Sequence, residues 1–160
     1  MQKHNHRTLS QLYDQLVTEF NEEEGVMWCF MNPHPRPCFN ENILNDLNRF
    51  LQVVRNNISS DIHSGKAPSI KYVVFGSYRP GIFSLGGDLG LFVDCIRQNN
   101  REKLSNYMQL SIEVIYGIFT NIYVPITTIS LILDNPHRAV FEVALSCYYI
   151  ISQKKLKLGF

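Results

Sequence analysis

The chain has 160 residues, of which 45% are hydrophobic and 18% charged, and its formal net charge is +1. This length suits a single domain over residues 1–160, and a chain of this size buries roughly 70% of its unfolded surface. The composition excludes a disordered chain, and the near-neutral charge gives no electrostatic basis for binding nucleic acid or an anionic membrane. We therefore expect a globular domain without a nucleic-acid partner.

Cysteine and histidine spacings indicate neither a metal site nor a disulfide framework. The four cysteines include no CxxC pair, and the five histidines show no HExxH spacing. The N-terminal residues lack the apolar core of a leader, and the longest mainly apolar stretch, YVPITTISLIL, is too short to span a bilayer. We expect a cytoplasmic protein with buried thiols, no metal and no membrane span.

The first third of the chain predicts a helix, a strand, a loop and a second helix. Apolar residues on one helical face predict a helix that ends at Gly25: Leu9, Leu12, Leu16, Val17 and Phe20. The strand VMWCFM follows, and the three prolines of NPHPRPCF exclude regular structure after it. Asn40 is placed to cap a second helix, with apolar positions Ile43, Leu44, Leu47, Leu51, Val54 and Ile58. The segment DIHSGKAPS then predicts a polar loop.

The rest of the chain alternates strands with helices. The run IKYVVFGS predicts a buried strand, and Asp88 is placed to cap a helix with apolar positions Leu89, Phe92, Val93 and Ile96. A longer helix from about 101 to 121 is expected to turn one face inward: Leu104, Met108, Ile112, Ile115 and Phe119. The strand VPITTISLIL, the turn DNPHR, the short helix AVFEVALSC and the strand YYIIS complete the order. This alternation predicts an α/β fold with crossover connections.

The turn FSLGGDL lies between a strand and a helix and exposes bare backbone. Gly86 and Gly87 lack a Cβ, so the backbone there can turn sharply and bring its N–H groups close to another group. An N–H at a helix start suits a developing negative charge. From these residues alone, a tight strand-to-helix turn without any ligand is the favoured interpretation, and a ligand-binding turn is the alternative.

An ordered set of motifs resembles a known superfamily. The order is strand, FSLGGDL, long helix, PITTISL, turn, and FEVALSCYYII. It is similar to the crotonase (enoyl-CoA hydratase) superfamily. Within that superfamily, MWCFMNPHPRPCFNENILNDL and VVFGSYRPGIFSLGGDLGLF look like the diffusible signal factor synthases, which make cis-2-unsaturated fatty-acid signals from acyl thioesters. The resemblance implies a ββα spiral core and covers most of the chain from about 9 to 160.

The resemblance implies chemistry on a thioester carbonyl, with two backbone N–H groups forming an oxyanion hole. By position in the motif, Gly87 offers the first N–H and Ala139 the second. The adjoining substrate-binding positions would be Leu85, Gly86 and Val140. The thioester of CoA, or of the phosphopantetheine arm of an acyl carrier protein, would be the substrate, and no other cofactor is implied.

Glu142 is the expected catalytic residue. From the residues alone, a glutamate on the exposed side of a helix start, stabilised there by the helix dipole, is the favoured interpretation. A carboxylate among the apolar neighbours of AVFEVALS would instead have a raised pKa, which suits a general acid or base. The resemblance favours this second interpretation, because the position matches one of two catalytic glutamates in the signal factor synthases.

The sequence departs from the family pattern at two places. Arg138, Ala139 and Val140 stand where three glycines are expected, which puts the second N–H in doubt because alanine resists positive φ. The family's second glutamate, and the C-terminal helical portion that covers the acyl pocket and supports trimers, would lie beyond Phe160. For His137 and Arg138 a solvated basic loop is the favoured interpretation, and contact with a phosphate of CoA or of a carrier-protein arm is the alternative.

Three hypotheses therefore remain open. The chain is an acyl-thioester hydratase, dehydratase or thioesterase of the signal-synthase type, represented by an incomplete chain. Alternatively, it is an impaired pseudoenzyme that binds acyl-CoA, acyl carrier protein or a homologous subunit. Thirdly, it is a fragment without activity of its own. The resemblance implies a homo-oligomer, a trimer in the family, which is in doubt here because the portion that supports trimers would lie beyond Phe160.

Overall fold

The described residues form one sheet in which the strands lie in chain order. The computed structural model describes residues 6–8, 13–79, 83–133 and 142–153. The strands are β1 (His6–Thr8), β2 (Leu16–Asn21), β3 (Val26–Met31), β4 (Tyr72–Ser77), β5 (Thr127–Ile132) and β6 (Tyr149–Ser152). The helices are α1 (Glu41–His63), α2 (Leu89–Arg97), α3 (Arg101–Phe119) and α4 (Glu142–Ser146), with a 3-10 turn at Asn121–Tyr123.

The sheet is antiparallel at its first edge and parallel beyond it. Strands β1, β2 and β3 pair antiparallel, whereas β3 to β6 pair parallel. Helix α1 connects β3 to β4, helices α2 and α3 connect β4 to β5, and α4 lies between β5 and β6. The predicted α/β architecture with crossover connections is confirmed.

The predicted first helix is wrong over its described part, where the chain forms β2 instead. Leu16 and Thr18 are 2% and 0% exposed, and the residues between and after them are more exposed. This alternation has the two-residue period of a strand. The acidic run that was expected to end a helix forms the hairpin turn to β3. Gly25 has φ +69°, and its N–H donates to the Asn21 carbonyl at 2.9 Å. Leu9 and Leu12 lie outside the described residues.

Helix α1 is confirmed, together with its cap and its buried face. The Asn40 side chain accepts from the Ile43 N–H at 3.0 Å. All six predicted apolar residues are buried and are at most 5% exposed. The helix continues to His63, so the loop predicted from Asp61 begins at Ser64, and Gly65 takes φ +70° just after the helix end.

The inward face predicted for α3 is wrong. Three of the predicted inner positions of α3 are largely exposed: Met108 at 43%, Ile112 at 62% and Phe119 at 67%. The buried face is the adjacent one: Tyr107, Val114, Gly117 and Ile118. The physical reason lies in α1, since a Cβ on Gly117 would come within 3.2 Å of Leu51 and only this small residue allows the close approach. In α2, Leu89 and Ile96 are also about 70% exposed, at 72% and 70%.

The core lies between the sheet and the helices. Its sheet side includes Met27, Cys29, Val73 and Phe75, and α1 and α3 cover it. All four cysteines are unbridged and buried, as expected from their spacing. Among the described helices, none is long and apolar enough to cross a membrane.

Candidate functional site

The glycine turn is held to the proline-rich loop by backbone hydrogen bonds. The Leu85 N–H donates to the Pro37 carbonyl at 2.8 Å, and the Phe39 N–H donates to the Gly86 carbonyl at 2.8 Å. Gly86 has φ +80°, a conformation that favours glycine. Its N–H donates to the hydroxyl of Ser84, which is 2% exposed. The irregular segments predicted at 32–39 and 83–88 therefore support each other.

Asp88 caps α2, as predicted. Its carboxylate accepts from the N–H groups of Gly90 and Leu91 at 3.0 and 3.3 Å. The same oxygen accepts from Arg36 at 2.7 Å. A hollow of about 240 Å³ lies beside this pair, and its two charges already satisfy each other.

Tyr107 of α3 reaches the turn from the other side. Its hydroxyl donates to the Phe39 carbonyl at 2.6 Å and accepts from the Asp88 N–H at 3.0 Å. Burial raises the pKa of Tyr107, so the hydroxyl keeps its proton and acts as a donor. Sequence analysis missed this residue. The available signal was its helical spacing with Ser111, Val114 and Ile118, which defines the face that is actually buried.

The Gly87 N–H is left without an acceptor inside the described part of the chain. The adjoining N–H groups of Leu85, Gly86 and Asp88 all donate. Within residues 6–8, 13–79, 83–133 and 142–153, the Gly87 N–H donates to nothing. A free N–H on a partly buried residue is available to a ligand.

Gly87 lines a small apolar pocket of about 120 Å³. The other lining residues are Phe39, Leu44, Ser111, Val114, Ile115 and Val143. Val143 belongs to α4, so the pocket brings the glycine turn and the start of α4 together. These two segments are 55 positions apart in the chain and carry the two candidate motifs found in the sequence.

The remaining predicted site residues are placed as follows. Glu142 begins α4 next to Val143, and its side chain lies outside the described part of the structure. Ala139 and Val140, together with the neighbouring His137 and Arg138, also lie outside the described residues. Leu85 is 42% exposed and, like Gly86, is not among the residues that line this pocket.

No metal centre is visible in the described ranges, since no three His, Cys, Asp or Glu side chains come together there. Burial raises the pKa of Cys29 well above its ordinary value and that of Cys147 to about 12. A thiol with so high a pKa carries almost no thiolate near neutral pH, so neither is suited to act as a nucleophile. Within the described residues, the candidate site offers a backbone donor beside an apolar pocket.

Comparison with solved structures shows that the fold is crotonase-like, the fold of enoyl-CoA hydratases and isomerases. An enoyl-CoA hydratase from Bacillus halodurans superposes with a TM-score of 0.67 at 16% identity, over 87% of this chain and 50% of that chain. An enoyl-CoA hydratase from Geobacillus kaustophilus gives 0.65 at 15% identity, over 92% and 48%. The human mitochondrial delta3-delta2-enoyl-CoA isomerase gives 0.60 at 18% identity, over 86% and 46%.

These likenesses establish the fold and not the activity, because fold alone does not carry function. The chain spans about half the length of each of these three structures. No protein-family model and no curated protein matches the sequence.

Proposed function

We propose that this chain binds an acyl thioester, carried on CoA or on a phosphopantetheine arm, and polarises its carbonyl with the Gly87 N–H. One observation carries the proposal: Gly87 has an N–H without an acceptor in the described structure and lines an apolar pocket. An acyl thioester has the matching parts, since its carbonyl oxygen accepts a hydrogen bond and its alkyl chain prefers an apolar lining.

The position of Gly87 strengthens this donor. It lies just before the start of α2, where the partial positive charge of the helix favours an oxygen that gains negative charge. Such charge develops when the thioester carbonyl is attacked or when a proton leaves its α-carbon. A preorganised donor at that oxygen lowers the barrier by roughly 3–4 kcal/mol in enzymes where it has been removed by mutation.

Glu142 is the proposed proton-transfer group and Ala139 the proposed second donor. Support for Glu142 comes from its place at the start of α4, directly before Val143, which lines the pocket. A glutamate there suits general acid or base catalysis at the carbon next to the carbonyl. The narrower assignment, synthesis of cis-2-unsaturated fatty-acid signals by dehydration and thioester hydrolysis, rests on the sequence resemblance.

A second candidate is an acyl-thioester-binding subunit that acts with another chain. Two observations favour it. Arg138, Ala139 and Val140 replace the expected glycines, and the apolar sides of α2 and α3 are exposed at Leu89, Ile96, Ile112 and Phe119. Monomeric soluble proteins rarely expose large contiguous apolar patches, and such patches mark interaction sites.

The test compares wild type with Glu142→Gln on acyl-CoA and acyl carrier protein substrates of graded chain length. Free thiol release and loss of enoyl conjugation are followed, and acyl-CoA binding is measured by calorimetry. Glu102→Gln, at an exposed position in the first turn of α3, is the matched control. We expect turnover that Glu142→Gln abolishes while binding is retained. Binding with equal background turnover favours the second candidate, and no binding by any variant contradicts both.

A further inference from the structure

Tyr107 is a buried tyrosine whose single hydroxyl joins three segments of the chain. The residue is 3% exposed, and its ring meets that of Phe92 edge-on, with centroids 5.5 Å apart. The hydroxyl donates its one proton to the Phe39 carbonyl and accepts from the Asp88 N–H. That proton is directed at the Phe39 carbonyl and not into the pocket, so this arrangement favours a supporting role for Tyr107.

Hydrogen bonds hold the peptides on both sides of Gly87. The peptide before Gly87 is held through the Gly86 carbonyl, which accepts from Phe39. In a trans peptide the N–H points opposite to the carbonyl, so the Gly87 N–H is directed away from Phe39. The peptide after Gly87 is held through the Asp88 N–H, which donates to Tyr107. Tyr107 therefore holds one flanking peptide directly and the other through Phe39.

Such a restraint matters because Gly87 has no side chain to limit its backbone. Without it, the two peptides around Gly87 can rotate, and the free N–H loses its direction. The Tyr107 hydroxyl lies directly beside Gly87, since a Cβ placed on Gly87 would be 3.3 Å from it.

We propose that Tyr107 is a positioning residue, which fixes the direction of the Gly87 N–H towards the thioester carbonyl. This role rests on the proposed function of Gly87. It differs from a purely structural role, because it affects the rate of the chemical step and leaves substrate affinity unchanged.

The test is Tyr107→Phe, which removes the hydroxyl and keeps the ring. Tyr116→Phe is the control, because Tyr116 lies on the same helix and is 54% exposed. Three quantities are measured for each variant: the unfolding midpoint, hydrogen exchange of the Asp88 amide, and kcat and KM with the acyl-CoA that wild type turns over best.

For Tyr107→Phe we expect faster exchange at Asp88 and a kcat lowered about tenfold to a hundredfold, the effect of a misplaced catalytic group. KM is expected to stay within about twofold, because the interaction acts in the transition state. Tyr116→Phe is expected to match wild type in all three measurements.

The outcomes separate the two proposals. Wild type without any turnover overturns the proposed function, and this role with it. Wild-type turnover that Tyr107→Phe leaves within about twofold overturns the positioning role alone. If Tyr107→Phe does not fold, 3-fluorotyrosine at position 107 keeps the ring and weakens the hydroxyl as an acceptor. We then expect a loss of kcat smaller than the one predicted for Tyr107→Phe, and an unchanged kcat overturns the positioning role.

Discussion

The guanidinium of Arg36 lies 2.7 Å from the Asp88 carboxylate, across 52 positions of the chain. The same carboxylate oxygen accepts from the N–H groups of Gly90 and Leu91 at the start of α2. The proline-rich loop and the glycine turn are thus joined through the cap of one helix.

The cap is expected to contribute more stability than the ion pair. Asp88→Ala removes the acceptor of two helix N–H groups, and we expect the free energy of unfolding to fall by about 1–2 kcal/mol. Arg36 has a side chain that is 60% exposed, so Arg36→Ala is expected to cost less than about 1 kcal/mol. Urea denaturation of both variants measures the two losses in the free energy of unfolding. An equal or larger loss for Arg36→Ala would contradict the ranking.

The Gly87 N–H is tested by a pair of substitutions. Gly87→Pro removes the N–H and is expected to lower kcat by about 100- to 1,000-fold. Gly87→Ala keeps the N–H, but its Cβ would lie 3.3 Å from the Tyr107 hydroxyl and 3.4 Å from Phe92. We expect it to retain most of the turnover, with some loss of stability. Equal kcat for two folded variants would show that the N–H takes no part.

The orientation of α3 is tested by one substitution at two positions. Ile118 is 0% exposed and Ile112 is 62% exposed. Ile118→Ala is expected to cost about 2–5 kcal/mol, because it leaves a cavity in the core. Ile112→Ala is expected to stay within about 0.5 kcal/mol of wild type. A reversed order in chemical denaturation would restore the inner face predicted from the sequence.

The buried thiol of Cys147 predicts a loss of stability at high pH. Burial raises its pKa to about 12 in the folded chain, against about 8.5 for an unfolded thiol. The folded state therefore holds the proton more tightly. Its contribution is complete below about pH 8.5 and is lost as pH rises towards 12, by up to about 1.4 kcal/mol per pH unit. We expect Cys147→Ala to show a shallower fall in unfolding free energy above about pH 9, and parallel profiles would contradict this.

The exposed apolar side of α3 predicts association. Ile112 and Phe119 are 62% and 67% exposed and lie seven positions apart, on one side of the helix. We expect the purified chain to self-associate with rising concentration in sedimentation velocity. The double substitution Ile112→Ser with Phe119→Ser is expected to weaken this, whereas Ser105→Ala at an exposed polar position is not. A monomer at every concentration would contradict the expectation.

Local signals in the sequence predicted most of the parallel half of the fold. Strand-like runs, the capping residues Asn40 and Asp88, and the three prolines each act over a few residues, and all are found as expected. The order of strands and helices then leaves few possible connections. The crotonase-like fold followed from the order of the motifs, and not from any single one.

The wrong predictions fall where the local sequence fits two structures and tertiary packing selects one of them. The segment at β2 fits both a helical and a strand period, and its pairing with β3 selects the strand. In α3, periodicity finds apolar residues on two adjacent faces, and the close approach at Gly117 selects the buried one. Tyr107 could not be found as a site residue, because its partners Phe39 and Asp88 are distant in the chain.

Infrared spectroscopy observes the proposed hydrogen bond at the thioester carbonyl itself. Acyl-CoA labelled with 13C at the carbonyl is bound to wild type and to Gly87→Pro, and isotope-edited infrared difference spectra are recorded. We expect the carbonyl stretch to shift to lower frequency on binding to wild type, as a hydrogen bond from an N–H requires, and the shift to be smaller in Gly87→Pro. A bound carbonyl with the same frequency in both proteins would show that the Gly87 N–H does not donate to it.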